Sequence, residues 1–102
     1  MNKKFSSTMR KGFHMTFENG LSASVQWGYG NYCDNRFNEN PCFDTDAESN
    51  TAEVAVFDGN GEFLNANDFV PNECQSCDTV CGYMTSDQVV DFLYAVKNAR
   101  TI

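Results

Sequence analysis

The chain has no stretch approaching the roughly 20 consecutive apolar residues that a membrane-spanning helix needs. Its opening, Met1 to Lys11, is basic and polar and lacks the apolar run of a signal peptide. No membrane association is expected, and the protein is expected in the cytosol of the cell that makes it. Neither G-x-x-x-x-G-K nor G-x-G-x-x-G occurs, so no phosphate-cradling loop is encoded. Histidine occurs once, at His14, and no Ser-His-Asp or paired-carboxylate pattern stands out. Without an assembled acid, base and nucleophile, a non-enzymatic protein is expected.

Positive charge is also scarce, and its placement matters more than its amount. Lys3, Lys4, Arg10 and Lys11 sit before the first predicted strand, and Lys97 and Arg100 close the last predicted helix. Between Gly12 and Val96 the only cation is Arg36, while all fourteen carboxylates lie in that span. Such a body repels phosphate backbones, which disfavours direct nucleic-acid binding, and attracts cations or a basic protein surface. A net charge of -7 also serves solubility alone.

A length of 102 residues suits one domain with one core, burying roughly 65% of the surface its unfolded chain exposes. Nine Phe residues allow that core to be built from a few large side chains. From Gly12 to Trp27 the pattern alternates with period two. Phe13, Met15 and Phe17 share one face, as do Leu21, Ala23, Val25 and Trp27, with Glu18-Asn19-Gly20 between the runs. Asn-Gly tolerates the positive φ angles of a tight hairpin turn, so a first hairpin is predicted. Thr51 to Phe57, the turn Asp58-Gly59-Asn60-Gly61 and the return Glu62 to Asn65 predict a second. Val80 to Met84 adds a short fifth strand, and Thr85 or Ser86 caps a helix whose Val89, Phe92, Leu93 and Val96 recur at helical spacing. The expected fold is α+β: an antiparallel sheet of four or five strands, with two hairpins, packed by one C-terminal helix. Residues 1–11 are expected as a basic, flexible tail and 12–102 as the single domain.

Two polar stretches carry the candidate chemistry. Gly28 to Asn50 reads as a long loop, and loops of that length are commonly functional. At its start, Trp27, Tyr29 and Tyr32 with Asn31 suggest a stacking pocket for a planar ligand, and Arg36 a contact for its phosphate; a wide turn folded on the core edge explains the same residues. In Asn65 to Thr79 and just beyond, Cys74, Cys77 and Cys81 form C-x2-C-x3-C, whose first spacing lets two thiolates share a tetrahedral Zn²⁺. Cys33, Cys42 or His14 would supply the fourth ligand, and such a metal would pin the 65–82 loop rather than catalyse. Five cysteines cannot all pair, and a reducing cytoplasm disfavours disulfides, which leaves zinc or free thiols. Asp44, Asp46 and Glu48, and Asp58, Asn60 and Glu62, alternate as in a Ca²⁺ loop but lack its Gly and distant Glu. His14, alternating with Phe13 and Met15, is expected on the solvent face of its strand.

Gly12-Phe13-His14-Met15-Thr16-Phe17-Glu18-Asn19-Gly20 with Ser24-Val25-Gln26-Trp27-Gly28-Tyr29-Gly30-Asn31-Tyr32, Ala52 to Asp58, and Gly82 to Val89 together resemble a group of short, uncharacterised bacteriophage proteins. The resemblance spans about half the chain and implies a viral accessory protein in the cytoplasm of a bacterial host. It brings no catalytic or binding residues with it. The expected function is binding of a host protein or a small signalling molecule during infection, for instance to counter host defence. An acidic mimic of nucleic acid and a small zinc-stabilised interaction domain are the alternatives.

Overall fold

The computed structural model describes residues 4–37 and 46–100. Its elements are β1 (Phe5–Ser7), β2 (Gly12–Thr16), β3 (Ser22–Gln26), β4 (Ala52–Phe57), β5 (Phe63–Leu64), β6 (Cys81–Met84) and α1 (Ser86–Asn98). This is the expected α+β arrangement, with six strands rather than four or five. The strands run in the order β1-β2-β3-β4, and the far edge of β4 is shared between β5 and β6. All pairs are antiparallel.

The first hairpin forms where period two predicts it, with a different turn. Gly20 N–H donates to the Phe17 carbonyl and Phe17 N–H to the Leu21 carbonyl, so the loop holds three residues, Glu18 to Gly20. Only Gly20 takes a positive φ, 89°. The second hairpin repeats the device with Gly61 at φ 80°. There the Asp58 carboxylate accepts the N–H groups of Asn60 and Glu62, which identifies the alternating Asp58, Asn60 and Glu62 as a turn.

The basic segment expected as a flexible tail supplies an edge strand, β1, whose Phe5, Ser6 and Ser7 pair with Met15, His14 and Phe13. Its turn runs through Met9 (φ 48°) and Arg10 (φ 61°), neither of them a residue that favours the left-handed region.

Strand register sorts the side chains onto two faces. Phe13, Met15, Ala23, Val25, Val54 and Val56 point one way, and His14, Thr16, Ser22, Ser24, Ala55 and Phe57 the other. Helix α1 covers the first face, where Phe92 and Val96 join Val54 and Val56 in one fully buried cluster. Its N-terminus carries a capping box: the Thr85 hydroxyl accepts Gln88 N–H and the Gln88 side chain accepts Thr85 N–H. Its C-terminus is closed from a distance, because the Asn19 amide donates to the carbonyls of Val96 (2.7 Å) and Ala99 (2.9 Å). The same side chain accepts Leu21 N–H, so one residue of the first turn ties the hairpin to the helix end. Among the described residues no helix is long and apolar enough to cross a membrane.

Two substitutions test this packing. Phe92→Ala should cost about 3–5 kcal/mol, as for a fully buried aromatic, and Asn19→Ala about 1–2 kcal/mol from the freed helix carbonyls. Urea unfolding measures both. An Asn19→Ala variant as stable as the parent would contradict the clamp.

Candidate functional site

Loop 28–37 looks irregular in sequence, yet a set of hydrogen bonds holds its backbone. Asn31 closes the loop start by accepting Gly28 N–H through its side-chain oxygen, and its amide donates to one Glu53 carboxylate oxygen at 3.1 Å. The other Glu53 oxygen accepts Tyr32 N–H at 3.2 Å. Thr51 accepts Asp34 N–H, and the Asn35 amide donates to the Trp27 carbonyl. On the far side, Tyr83 N–H donates to the Tyr32 carbonyl at 2.8 Å, which joins the loop to β6. A Cβ added at Gly82 would collide with Tyr32, so that join depends on glycine.

Strand β6 is bulged where it meets the loop, since Ala52 pairs with Met84 but Val54 with Cys81. Tyr83 occupies the bulge at φ 54°, a left-handed conformation that costs a non-glycine residue about 1–2 kcal/mol. Its side chain points into solvent. Tyr29, Tyr32 and Phe37 are exposed on the adjoining loop. The Arg36 guanidinium lies 4.4 Å from the Tyr32 ring centre and 5.4 Å from that of Phe37. The result is an aromatic surface with a stacked cation.

The predicted stacking pocket is not assembled. Trp27 turns away from Tyr29 and Tyr32: its indole N–H donates to the Ala47 carbonyl and its ring meets Phe13 edge-on, 6.2 Å between centres. The Arg36 guanidinium stacks near the Tyr32 and Phe37 rings, and the Asn31 side chain is engaged by Gly28 and Glu53. Tyr32 and Tyr83 instead border a shallow depression against the 73–80 segment, with Glu73 and Asp78 at its wall.

A zinc site would need at least three of the cysteines or their ligating neighbours to gather at one point. Among the described residues, no three His, Cys, Asp or Glu side chains are grouped so as to hold a metal ion. Cys33 is buried within loop 28–37, its thiol 3.7 Å from the Gly28 carbonyl. Cys77 is exposed, Cys74 half-buried and Cys81 buried. All four are free thiols, and Cys42 lies outside the described residues. Burial, then the charge of Glu73, pushes the Cys74 thiol above its ordinary pKa; burial likewise raises Cys81 despite its hydrogen bond with Ser76. Both shifts favour the neutral thiol over the thiolate in the metal-free chain.

The pin assigned to zinc is supplied by Asn67. Its amide donates to the Asp78 carbonyl, its side-chain oxygen accepts Ser76 N–H at 2.7 Å and the Cys81 thiol at 3.3 Å, and its own carbonyl accepts the Gln75 amide. A polar residue at the centre of an Asn-rich loop is a signal that composition alone offered weakly.

The face of the sheet away from α1 holds a second depression of about 360 Å³, lined by His14, Thr16, Ser22 and Phe57 with the two hairpin turns. His14 is half-buried beside the Phe57 ring, 6.0 Å between centres, rather than freely exposed. Burial lowers its pKa and favours the neutral imidazole, able to donate from one nitrogen and accept at the other. Thr16 and Ser22 share a hydrogen bond at 2.8 Å beneath it.

Alkylation followed by mass spectrometry should modify Cys77 first, Cys74 more slowly, and Cys33 and Cys81 only on unfolding, with no protection of Cys77 by added zinc. Stoichiometric zinc that shields Cys74, Cys77 and Cys81 together would overturn the Asn67 account. Comparison of the chain with protein-family models, curated proteins and solved structures finds no match.

Proposed function

We propose that this chain is a non-enzymatic binding protein that docks through loop 28–37 and β6 onto a basic surface of a bacterial host protein during phage infection. The observation that carries this reading is the display of Tyr29, Tyr32, Phe37 and Tyr83 around Arg36 on backbone already held by Glu53, Thr51 and β6. Tyr and Arg dominate interface hot spots, and an ordered display loses less entropy on binding than a mobile loop does. Exposed Asp34, Glu73 and Asp78 nearby favour a basic partner and steer its approach. Phage origin and a bacterial cytoplasm rest on the resemblance of three segments alone.

The nucleic-acid mimic is the weaker reading, because the Glu53 and Asp58 carboxylates are engaged in internal hydrogen bonds. A mimic needs its charges free and evenly spaced on one face.

Capture from bacterial lysate, with the purified chain also weighed by native mass spectrometry, tests the proposal. A basic protein should be recovered at about 50 mM salt and lost at about 500 mM. Tyr83→Ala should weaken its binding at least about tenfold without lowering thermal stability. A partner held equally by Tyr83→Ala would contradict the surface. A retained organic mass released by Phe57→Ala would move the function to small-molecule capture in the depression beside His14.

A further inference from the structure

The outward side of α1 carries large apolar side chains that no part of the described chain covers. Val89, Phe92 and Val96 face the sheet and are buried. On the opposite side, Asp87, Val90, Tyr94 and Lys97 follow one another at intervals of three, four and three residues, all exposed. That spacing places them on one stripe, the seam along which two helices pack. Val90 is 63% and Tyr94 69% accessible, so the centre of the stripe offers apolar surface to a facing helix.

The order along the stripe is self-complementary. The midpoint between Val90 and Tyr94 falls at residue 92, and so does the midpoint between Asp87 and Lys97. An antiparallel copy of the helix centred on the same residue therefore sets Val90 against Tyr94 and Asp87 against Lys97, each twice. A like-facing parallel copy would oppose Asp87 to Asp87 and Lys97 to Lys97.

We propose that α1 is a homodimerisation surface, pairing with α1 of a second copy in antiparallel fashion about a two-fold axis level with residue 92. The pairing is isologous and closes on itself, so it makes dimers and not fibres. Its apolar centre excludes water, and its two Asp87–Lys97 pairs fix direction and register. In the single chain the Lys97 ammonium rests 6.0 Å from the Tyr94 ring centre, close enough to turn toward a facing carboxylate. A helix of 13 residues is only about 20 Å long, so the contact belongs to the small, reversible class below about 1,200 Å². The surface lies apart from the loop 28–37 display and does not depend on the partner proposed for it.

Sedimentation equilibrium on the full chain tests the pairing. The parent should self-associate reversibly, more weakly as salt rises. Asp87→Lys and Lys97→Asp, each at an exposed site, should lower self-association at least about tenfold by opposing like charges. An equimolar mixture of the two variants should restore dimers, because the two lysines on the stripe of one variant then face the two aspartates on the stripe of the other. The mixing arm separates charge pairing from any loss of helix stability. A parent that stays monomeric throughout the accessible concentration range, variants that associate as well as the parent, or a mixture that stays monomeric would overturn the proposal.

Discussion

One helix pressed on the two central strands, β3 and β4, holds this protein together. β4 is flanked on both edges, by β3 on one side and by β5 and β6 on the other, and its Val54 and Val56 lie in the same buried cluster as Phe92 and Val96 of α1. Because α1 is the sole helix longer than one turn among the described residues, its position decides whether that cluster stays dry. The capping box at Thr85 and the Asn19 clamp at Val96 and Ala99 fix its two ends. The first hairpin is thereby tied to the end of α1, and α1 to the buried face of β4.

That packing frees the rest of the chain for display. Loop 28–37 is held from below by Glu53 and Thr51, which sit in or beside β4, and from the side by β6, which also pairs with β4. A strained Tyr83 and a glycine in contact with Tyr32 are costs that a purely structural strand would shed. The sheet face that carries His14 and Phe57 and the outward stripe of α1 are further surfaces on the same frame, each of a different chemistry.

The sequence made plain those features whose signal is local. Period-two alternation from Gly12 to Trp27, glycine-bearing turns at 18–20 and 58–61, and a capping residue ahead of Val89 each depend on neighbours within a few positions. β1 escaped notice because its turn, Met9-Arg10, lacks the residues that favour positive φ and because its cations suggested a solvated tail. The loop's order was hidden for another reason: Glu53 lies more than 20 residues from the amides it accepts, and no spacing rule links them. C-x2-C-x3-C left zinc and free thiols both open because ligand spacing says nothing of what else can hold the loop, and Asn67 satisfies it with ordinary hydrogen bonds.

The aromatic surface is already in place in the isolated chain, joined to β6 by the Tyr83–Tyr32 backbone hydrogen bond. Amide hydrogen exchange on the isolated chain tests it most directly at Tyr83, whose N–H donates to the Tyr32 carbonyl. Exchange there as slow as at the paired amides of β3 and β4 is the predicted result. Exchange at the rate of an unstructured chain would mean that loop 28–37 is ordered only by binding, and would contradict the account.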